Sequence, residues 1–513
     1  MNGADALIET LIDNDVEACF ANPGTSEMQF VSALDRQPKM RPVLCLFEGV
    51  VTGAADGYGR MAGKPACTLL HLGPGYGNGL ANLHNARRAY TPIVNVVGDH
   101  ATYHRKYDAP LNSDIAAIVA PNSRWVKSAE TAEEVGPLAA EAVAASYGPP
   151  GGSATLILPA DCAWLPATTR GPRINPPGKA TVSDGTIADI AKALKGAAKP
   201  VLLLGSGACH EASFAAAGRL AAAGVRVLTD TFIARTPRGA GRFAPDRMMY
   251  FGEMAVADLA GVDLMVFVET VTPAAFFAYP DRPSVLVPEG CETATLADRT
   301  EDGADALSRL ADAMGAPAQA VVQPLQLPDP MSGVLTPAAV GASIGRHMPD
   351  HTIISDDSVT AGQSILNLTR TARPHEWLGL TGGAIGQGIP VAVGAAVACP
   401  DRKVLSLNGD GAAMYTVQGL WTMARESLDV TTIVFANNSY RILGIELGRT
   451  GAGAPGPASS RLLSLGEPAI NWVSLATGLG LPASRCETAE AFDTAFARAM
   501  AEPGPHFIEA VVA

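Results

Sequence analysis

The amino-acid sequence predicts an α/β protein made of three doubly wound parallel-sheet domains. Short apolar strands alternate with Ala-rich helical stretches along the whole chain, the pattern of parallel strands joined by helical crossovers. The chain has 513 residues, 48% of them apolar, enough for about three cores at roughly 150 residues each. Two stretches rich in Pro, Gly or Gln interrupt the alternation, Pro166–Gly178 and Gly315–Pro337, and divide the chain into residues 1–165, 180–315 and 336–513.

In the first unit a helix carrying Leu7, Leu11 and Ile12 on one face leads to a strand at Glu17–Ala21. The turn Asn22-Pro23-Gly24 follows, and Ser26 with Gln29 has the spacing of a capping box for the next helix. Further strands are expected at Val43–Phe47, Ala66–Leu70, Ile93–Val97 and Ala154–Leu158. The middle unit should place strands at Val201–Leu204, Val225–Thr229, Leu264–Val268 and Ser284–Val287. The last should place them at Thr352–Ser355, Lys403–Leu407, Thr431–Ala436 and His506–Val511. The Gly-rich run His71–Gly79 echoes Leu380–Gly388, which hints that the two end units share one architecture.

Composition excludes several functions. Lys and Arg number 37 against 50 Asp and Glu, a net charge of −13 with no long basic run, so a nucleic-acid partner is not expected. No apolar stretch approaches the roughly 18–20 residues that span a bilayer. The residues Met1–Glu17 are acidic and helix-patterned, unlike a secretory leader. Eight scattered Cys without a CxxC pair read as reduced thiols of a cytoplasmic enzyme.

The most specific feature is Gly409-Asp410-Gly411, followed one helix and one strand later by Asn437-Asn438. The strand Lys403–Leu407 should deliver Asp410, and Thr431–Ala436 should deliver the asparagines, at one sheet edge. A helix near Thr416–Glu426 would join them. Ligands of open α/β sheets sit outside the carboxyl ends of the strands. A carboxylate, a side-chain amide and a backbone carbonyl such as that of Tyr440 are hard oxygen donors suited to magnesium. The flanking glycines let the backbone approach a diphosphate, and free N–H groups at a helix start face it.

This pattern resembles the diphosphate-anchoring motif of thiamine diphosphate enzymes, in the branch of acetolactate synthase and benzoylformate decarboxylase. The resemblance implies successive pyrimidine-binding, central and diphosphate-binding domains. It implies Mg²⁺ or Ca²⁺ on Asp410, Asn438 and the main-chain oxygen of Tyr440. It also assigns Glu48, within Phe47-Glu48-Gly49, to the acid that bonds N1′ of the aminopyrimidine and so promotes the C2 ylid. Ile385 matches the aliphatic side chain beneath the bent coenzyme, while Ser358 and Val359 fall where the family contacts the diphosphate. Pro23, Asn78, Gly383, Gly409, Gly411 and Ala412 complete the expected coenzyme contacts.

The same resemblance bears on the reaction. Asn22-Pro23-Gly24-Thr25-Ser26-Glu27 is similar to the decarboxylase loop that sets a Ser near the substrate carboxylate, with Thr25 in that place. His71 matches a proton-transferring His of the same enzymes. The second His of the decarboxylase, from its central domain, has no counterpart in Thr272–Phe277. The Phe-Gln-Glu run of acetolactate synthases has none in Asp108–Asp114. His100 and His104 precede that loop, as proton donors or as surface residues. Gly205-Ser206-Gly207-Ala208 is too incomplete a phosphate loop for flavin adenine dinucleotide, so the central unit is expected to be structural. The expected function is thiamine diphosphate- and Mg²⁺-dependent cleavage of a 2-oxo acid by decarboxylation. An acetolactate synthase-like carboligase and a non-catalytic cofactor-binding relative are the alternatives. The family architecture implies a homodimer or homotetramer with each site between two chains.

Overall fold

The computed structural model describes residues 1–512. The strands of the first sheet are β1 (Ala18–Ala21), β2 (Arg41–Leu44), β3 (Ala66–Leu70), β4 (Ile93–Asp99), β5 (Trp125–Ser128) and β6 (Ser153–Pro159). The middle of the chain supplies β7 (Pro200–Leu204), β8 (Arg226–Thr229), β9 (Thr236–Arg238), β10 (Asp246–Arg247), β11 (Leu264–Val268) and β12 (Glu292–Ala297). The last part supplies β13 (Thr352–Asp357), β14 (His375–Leu378), β15 (Val404–Gly409), β16 (Val430–Ala436), β17 (Ala483–Cys486) and β18 (His506–Val511). They form three sheets, ordered β2-β1-β3-β4-β6-β5, β10-β8-β7-β11-β12 and β17-β18-β16-β15-β13-β14-β9. Every pairing is parallel except β14 with β9.

The first and third sheets have one connectivity. Counted from its own first strand, each runs 2-1-3-4-6-5, with β9 added at the edge of the third. The sequence echo, however, compares places that do not correspond. His71–Gly79 follows the third strand of its sheet and is helical from Leu72, whereas Leu380–Gly388 follows the second strand and stays irregular until the helix Gly388–Ala398.

Strand side chains alternate between two cores, as the pleat requires. Ile93 and Val97 enter the core shared with the third sheet, and Val94 and Val96 the outer one. That shared core is built around the helices Glu48–Ala62 and Gly388–Ala398. They cross closely because small residues line the seam. A Cβ on Gly57 would lie 2.1 Å from the Val391 carbonyl oxygen, and one on Gly394 would lie 1.8 Å from that of Ala54. Arg60 fastens the seam. It pairs with Asp56 at 2.8 Å and donates to Gly379 O (2.8 Å), Ala234 O, Thr381 and Gln387 (each 3.2 Å).

Several expectations need correction. Ser284–Val287 is not a strand; only an isolated bridge joins Val285 to Ala274, and the sheet edge is β12. β5, β9, β10, β12, β14 and β17 lie outside the expected strands. β5 and β17 are short, polar-containing strands, and β14 carries buried His375 and Glu376, so none shows a continuous apolar run. Ser26 does not cap the next helix; its hydroxyl donates to Glu27. The stretches Pro166–Gly178 and Gly315–Pro337 carry no strand, and no helix before the one that starts at Pro337. All eight cysteines are free. Among the described residues no helix is long and apolar enough to cross a membrane.

Candidate active site

The singled-out residues gather beyond the carboxyl ends of parallel strands, where crossovers turn back and leave backbone N–H groups free. In the first sheet Pro23 and Thr25 follow β1, Glu48 follows β2, His71 follows β3 and His100 follows β4. In the third, Ser358 and Val359 follow β13, Gly383 and Ile385 follow β14, Asp410 follows β15 and Asn437 follows β16.

Glu48 is the first residue of its helix, separated from β2 by Cys45, Leu46 and Phe47 rather than joined directly to the strand as expected. It is 7% exposed, and its Oε2 accepts from Asn78 Nδ2 at 3.0 Å. Gly75 separates it from His71: a Cβ there would lie 3.2 Å from Glu48 Oε1 and 3.4 Å from His71 Cβ. His71 precedes Leu72, whose φ of +51° is a backbone conformation that costs a branched residue free energy. Its Nδ1 lies 2.9 Å from Oε2 of the buried Glu27. Ser26 Oγ stands 3.3 Å from the same nitrogen, whereas Thr25 is exposed and makes no side-chain hydrogen bond among the described residues.

The short helix Asp410–Ala413 starts at Asp410 itself, earlier than the crossover expected near Thr416; the next helix is Gly419–Arg425. Asp410 is 3% exposed. Its Oδ2 accepts from the N–H groups of Asn438 (2.6 Å) and Asn437 (3.1 Å), and its Oδ1 from that of Gly411 (2.8 Å). Burial nevertheless raises its pKa, so these amides leave the carboxylate short of positive charge. The Asn437 amide oxygen accepts from Ser439 N–H at 2.9 Å, while Asn438 is exposed with φ +52°. The Tyr440 ring covers Gly411, where a Cβ would lie 2.2 Å from it, and the Tyr440 carbonyl accepts from Leu443 N–H at 2.9 Å. Carboxylate, amide and carbonyl oxygens around an under-compensated acid fit a hard divalent cation. Among the described residues no cluster of three His, Cys, Asp or Glu offers another metal site.

Behind this edge Asp357 receives the N–H groups of Gly386 (2.7 Å), Gln387 (2.9 Å) and Gly388 (3.2 Å), which pins the turn after Ile385. Burial still pushes its pKa to about 7. Sequence reasoning missed this residue because a buried Asp beside Asp356 reads as one more loop acid. Ser358 is buried, and Val359 has φ +51° and is 46% exposed. The rings of His100 and His104 lie 5.5 Å apart, tilted by 55°; His100 Nε2 is buried without a partner among the described residues, and His104 is exposed. In the central unit the Glu269 side chain fills the Gly205–Ala208 turn, since a Cβ on Gly207 would lie 2.0 Å from its Oε2. Lys179 and the Gly303 N–H hold that carboxylate.

A paired-end α/β architecture with an acid at one sheet edge and a hard-oxygen site at the other defines a class of coenzyme-dependent enzyme. Comparison with known proteins gives the family. The N-terminal TPP binding domain of thiamine pyrophosphate enzymes matches residues 1–118, and the C-terminal TPP binding domain matches residues 360–510. A Mycobacterium tuberculosis protein named "Putative acetolactate synthase large subunit IlvX" is 51% identical over 516 residues, covering 100% of this chain and 99% of that one. Benzoylformate decarboxylase of Pseudomonas aeruginosa is 26% identical over 534 residues, covering 98% and 97%. The fold is also that of a Rhodococcus jostii RHA1 thiamine diphosphate-dependent 4-hydroxybenzoylformate decarboxylase, with a TM-score of 0.88 at 24% identity over 100% of this chain and 99% of that one. The chain belongs to the thiamine pyrophosphate enzyme family and is of the acetolactate synthase and benzoylformate decarboxylase type.

Proposed function

We propose that this chain is a Mg²⁺- and thiamine diphosphate-dependent lyase that decarboxylates a 2-oxo acid in the manner of benzoylformate decarboxylase. The observation that carries the reading is the placement of Glu48 and His71 on either side of Gly75, an acid for the coenzyme beside a base for the substrate. When bound, thiamine diphosphate supplies a nucleophilic carbon and an electron sink for loss of CO₂. Asn78 occupies Oε2 of Glu48 and leaves Oε1 to hold pyrimidine N1′. His71 moves a proton at Nε2, and Thr25 orients the substrate carboxylate. Asp410, the Asn438 side-chain amide and the Tyr440 carbonyl would hold the metal; Pro23, Ser358, Val359, Gly383, Ile385, Gly409, Gly411 and Ala412 would contact the coenzyme.

Eight free cysteines support a reducing, cytoplasmic setting, and the reading includes a homodimer or homotetramer whose sites lie between chains, Glu48 from one chain and Asp410 from the other. The Glu269 carboxylate in the Gly205–Ala208 turn supports a central unit without flavin dinucleotide, because two acids cannot share one phosphate cradle. The 51% relative's name favours a second reading, an acetolactate synthase-like carboligase. Products decide between them: benzaldehyde and CO₂ from benzoylformate mark the lyase, and acetolactate from pyruvate marks the carboligase. Proton exchange at coenzyme C2 must vanish in Glu48→Gln while coenzyme still binds by calorimetry. Absence of exchange in the unaltered protein would make the chain a non-catalytic relative.

A further inference from the structure

We propose that Glu27 is a positioning residue for His71, holding the proton on Nδ1 so that Nε2 is the nitrogen presented to substrate; this rests on the reading of His71 given above. Glu27 lies in the short helical turn Thr25–Glu27 and is 3% exposed. Its carboxylate is 2.9 Å (Oε2) and 3.1 Å (Oε1) from His71 Nδ1. The Gly24 N–H donates to Oε2 at 2.8 Å, and the Ser26 hydroxyl donates to Oε1. Among the described residues no Lys or Arg forms an ion pair with Glu27; the imidazole is its one ionisable partner.

An ionised carboxylate only accepts hydrogen bonds, so the imidazole nitrogen facing it must carry hydrogen. The other nitrogen, Nε2, has no hydrogen-bond partner among the described residues, and the His71 side chain is 23% exposed on a molecule where Glu27 is sealed in. The sequence has also cleared space for the pair. A Cβ on Gly98 of β4 would lie 1.9 Å from Glu27 Oε1, and one on Gly24 would lie 2.1 Å from His71 Nδ1. Two elements therefore forgo a side chain where the carboxylate and the ring meet. An ion pair serving stability alone needs neither a single tautomer nor a free second nitrogen.

Nitrogen-15 NMR of full-length protein labelled at histidine tests this directly. The expected result is His71 with its hydrogen on Nδ1 in the unaltered chain; hydrogen on Nε2 overturns the proposal without any variant. In Glu27→Ala the tautomer should change and kcat should fall about 10²-fold, at the low end of what a positioned acid–base group contributes. KM, coenzyme binding and C2 proton exchange should hold. Glu27→Gln, which keeps an acceptor oxygen, should recover part of kcat. Loss of coenzyme binding or C2 exchange in both variants would make Glu27 a structural residue, and unchanged kcat would remove it from the reaction. Failure of the functional reading looks different: no coenzyme uptake by the unaltered chain, whatever the tautomer.

Discussion

Replacing Arg60 by Met tests how the coenzyme edge is held, because one guanidinium joins the helix that begins at Glu48 to the loop that carries Ile385. The Arg60 and Asp56 side chains are 2% and 0% exposed. Without the guanidinium, Asp56 keeps only the Thr91 hydroxyl as a side-chain donor, and Gly379 O, Ala234 O and Gln387 each lose a hydrogen bond. Breaking a buried pair by removing one partner costs about 3–5 kcal/mol. The lost carbonyl bonds push the result to the upper part of that range, since each buried acceptor left unsatisfied costs about 1–3 kcal/mol and the terms overlap. Urea unfolding of Arg60→Met, Asp56→Asn and the double variant forms the cycle. The double variant should be more stable than Arg60→Met, because no bare charge remains buried. Coenzyme affinity measured by calorimetry should fall in Arg60→Met as the Gly379–Gln387 loop loosens. A loss under about 1 kcal/mol, or strict additivity, would refute the reasoning.

Three further outcomes follow. Asp410→Ala should abolish Mg²⁺-dependent coenzyme uptake in calorimetry and lower the melting temperature of the metal-free protein, because the Gly411, Asn437 and Asn438 amides lose their acceptor. Of the two amides, the one whose Ala variant raises the Mg²⁺ requirement is the metal ligand; Asn438 has the uncommitted side chain, and Asn437 the one already bonded to Ser439. Asp357 has its pKa raised by burial from 3.8 to about 7, so the fold retains a proton there that the unfolded chain releases, and stability from this group is lost as pH rises from about 4 through 7. Buried His375, lowered to about 3, acts oppositely: its contribution is present above pH 6.5 and lost as pH falls toward 3. Denaturant midpoints of Asp357→Asn should therefore rise more steeply with pH between about 4 and 6.5 than those of the unaltered protein, with His375 left unopposed.

Periodicity and strand-end chemistry carried much of the reading. The apolar strands around Phe20, Val96, Leu203 and Val434 are central to their sheets, so their continuous runs were legible. β14 was not, because His375 turns inward onto the nearby Arg373 carbonyl and Glu376 is buried against Arg235, a partner that only the fold brings near. Asp410 and Glu48 stood out through their glycine neighbours. Glu27 and Asp357 did not, since their meaning lies in backbone amides and a ring brought from distant turns. The Ser26–Gln29 spacing misled because Glu27 competes for the Ser26 hydroxyl at shorter range.

The strand β9 leaves the middle of the chain to pair antiparallel with β14, three residues in register. The neat cut sites offered by the two irregular stretches are therefore deceptive. An excised C-terminal fragment starting near residue 336 would bare the unpaired edge of β14, and a graft of a foreign central piece would inherit the same raw margin. Any shuffling of parts within this architecture has to carry Thr236–Arg238 along with the sheet it borders rather than with its chain neighbours.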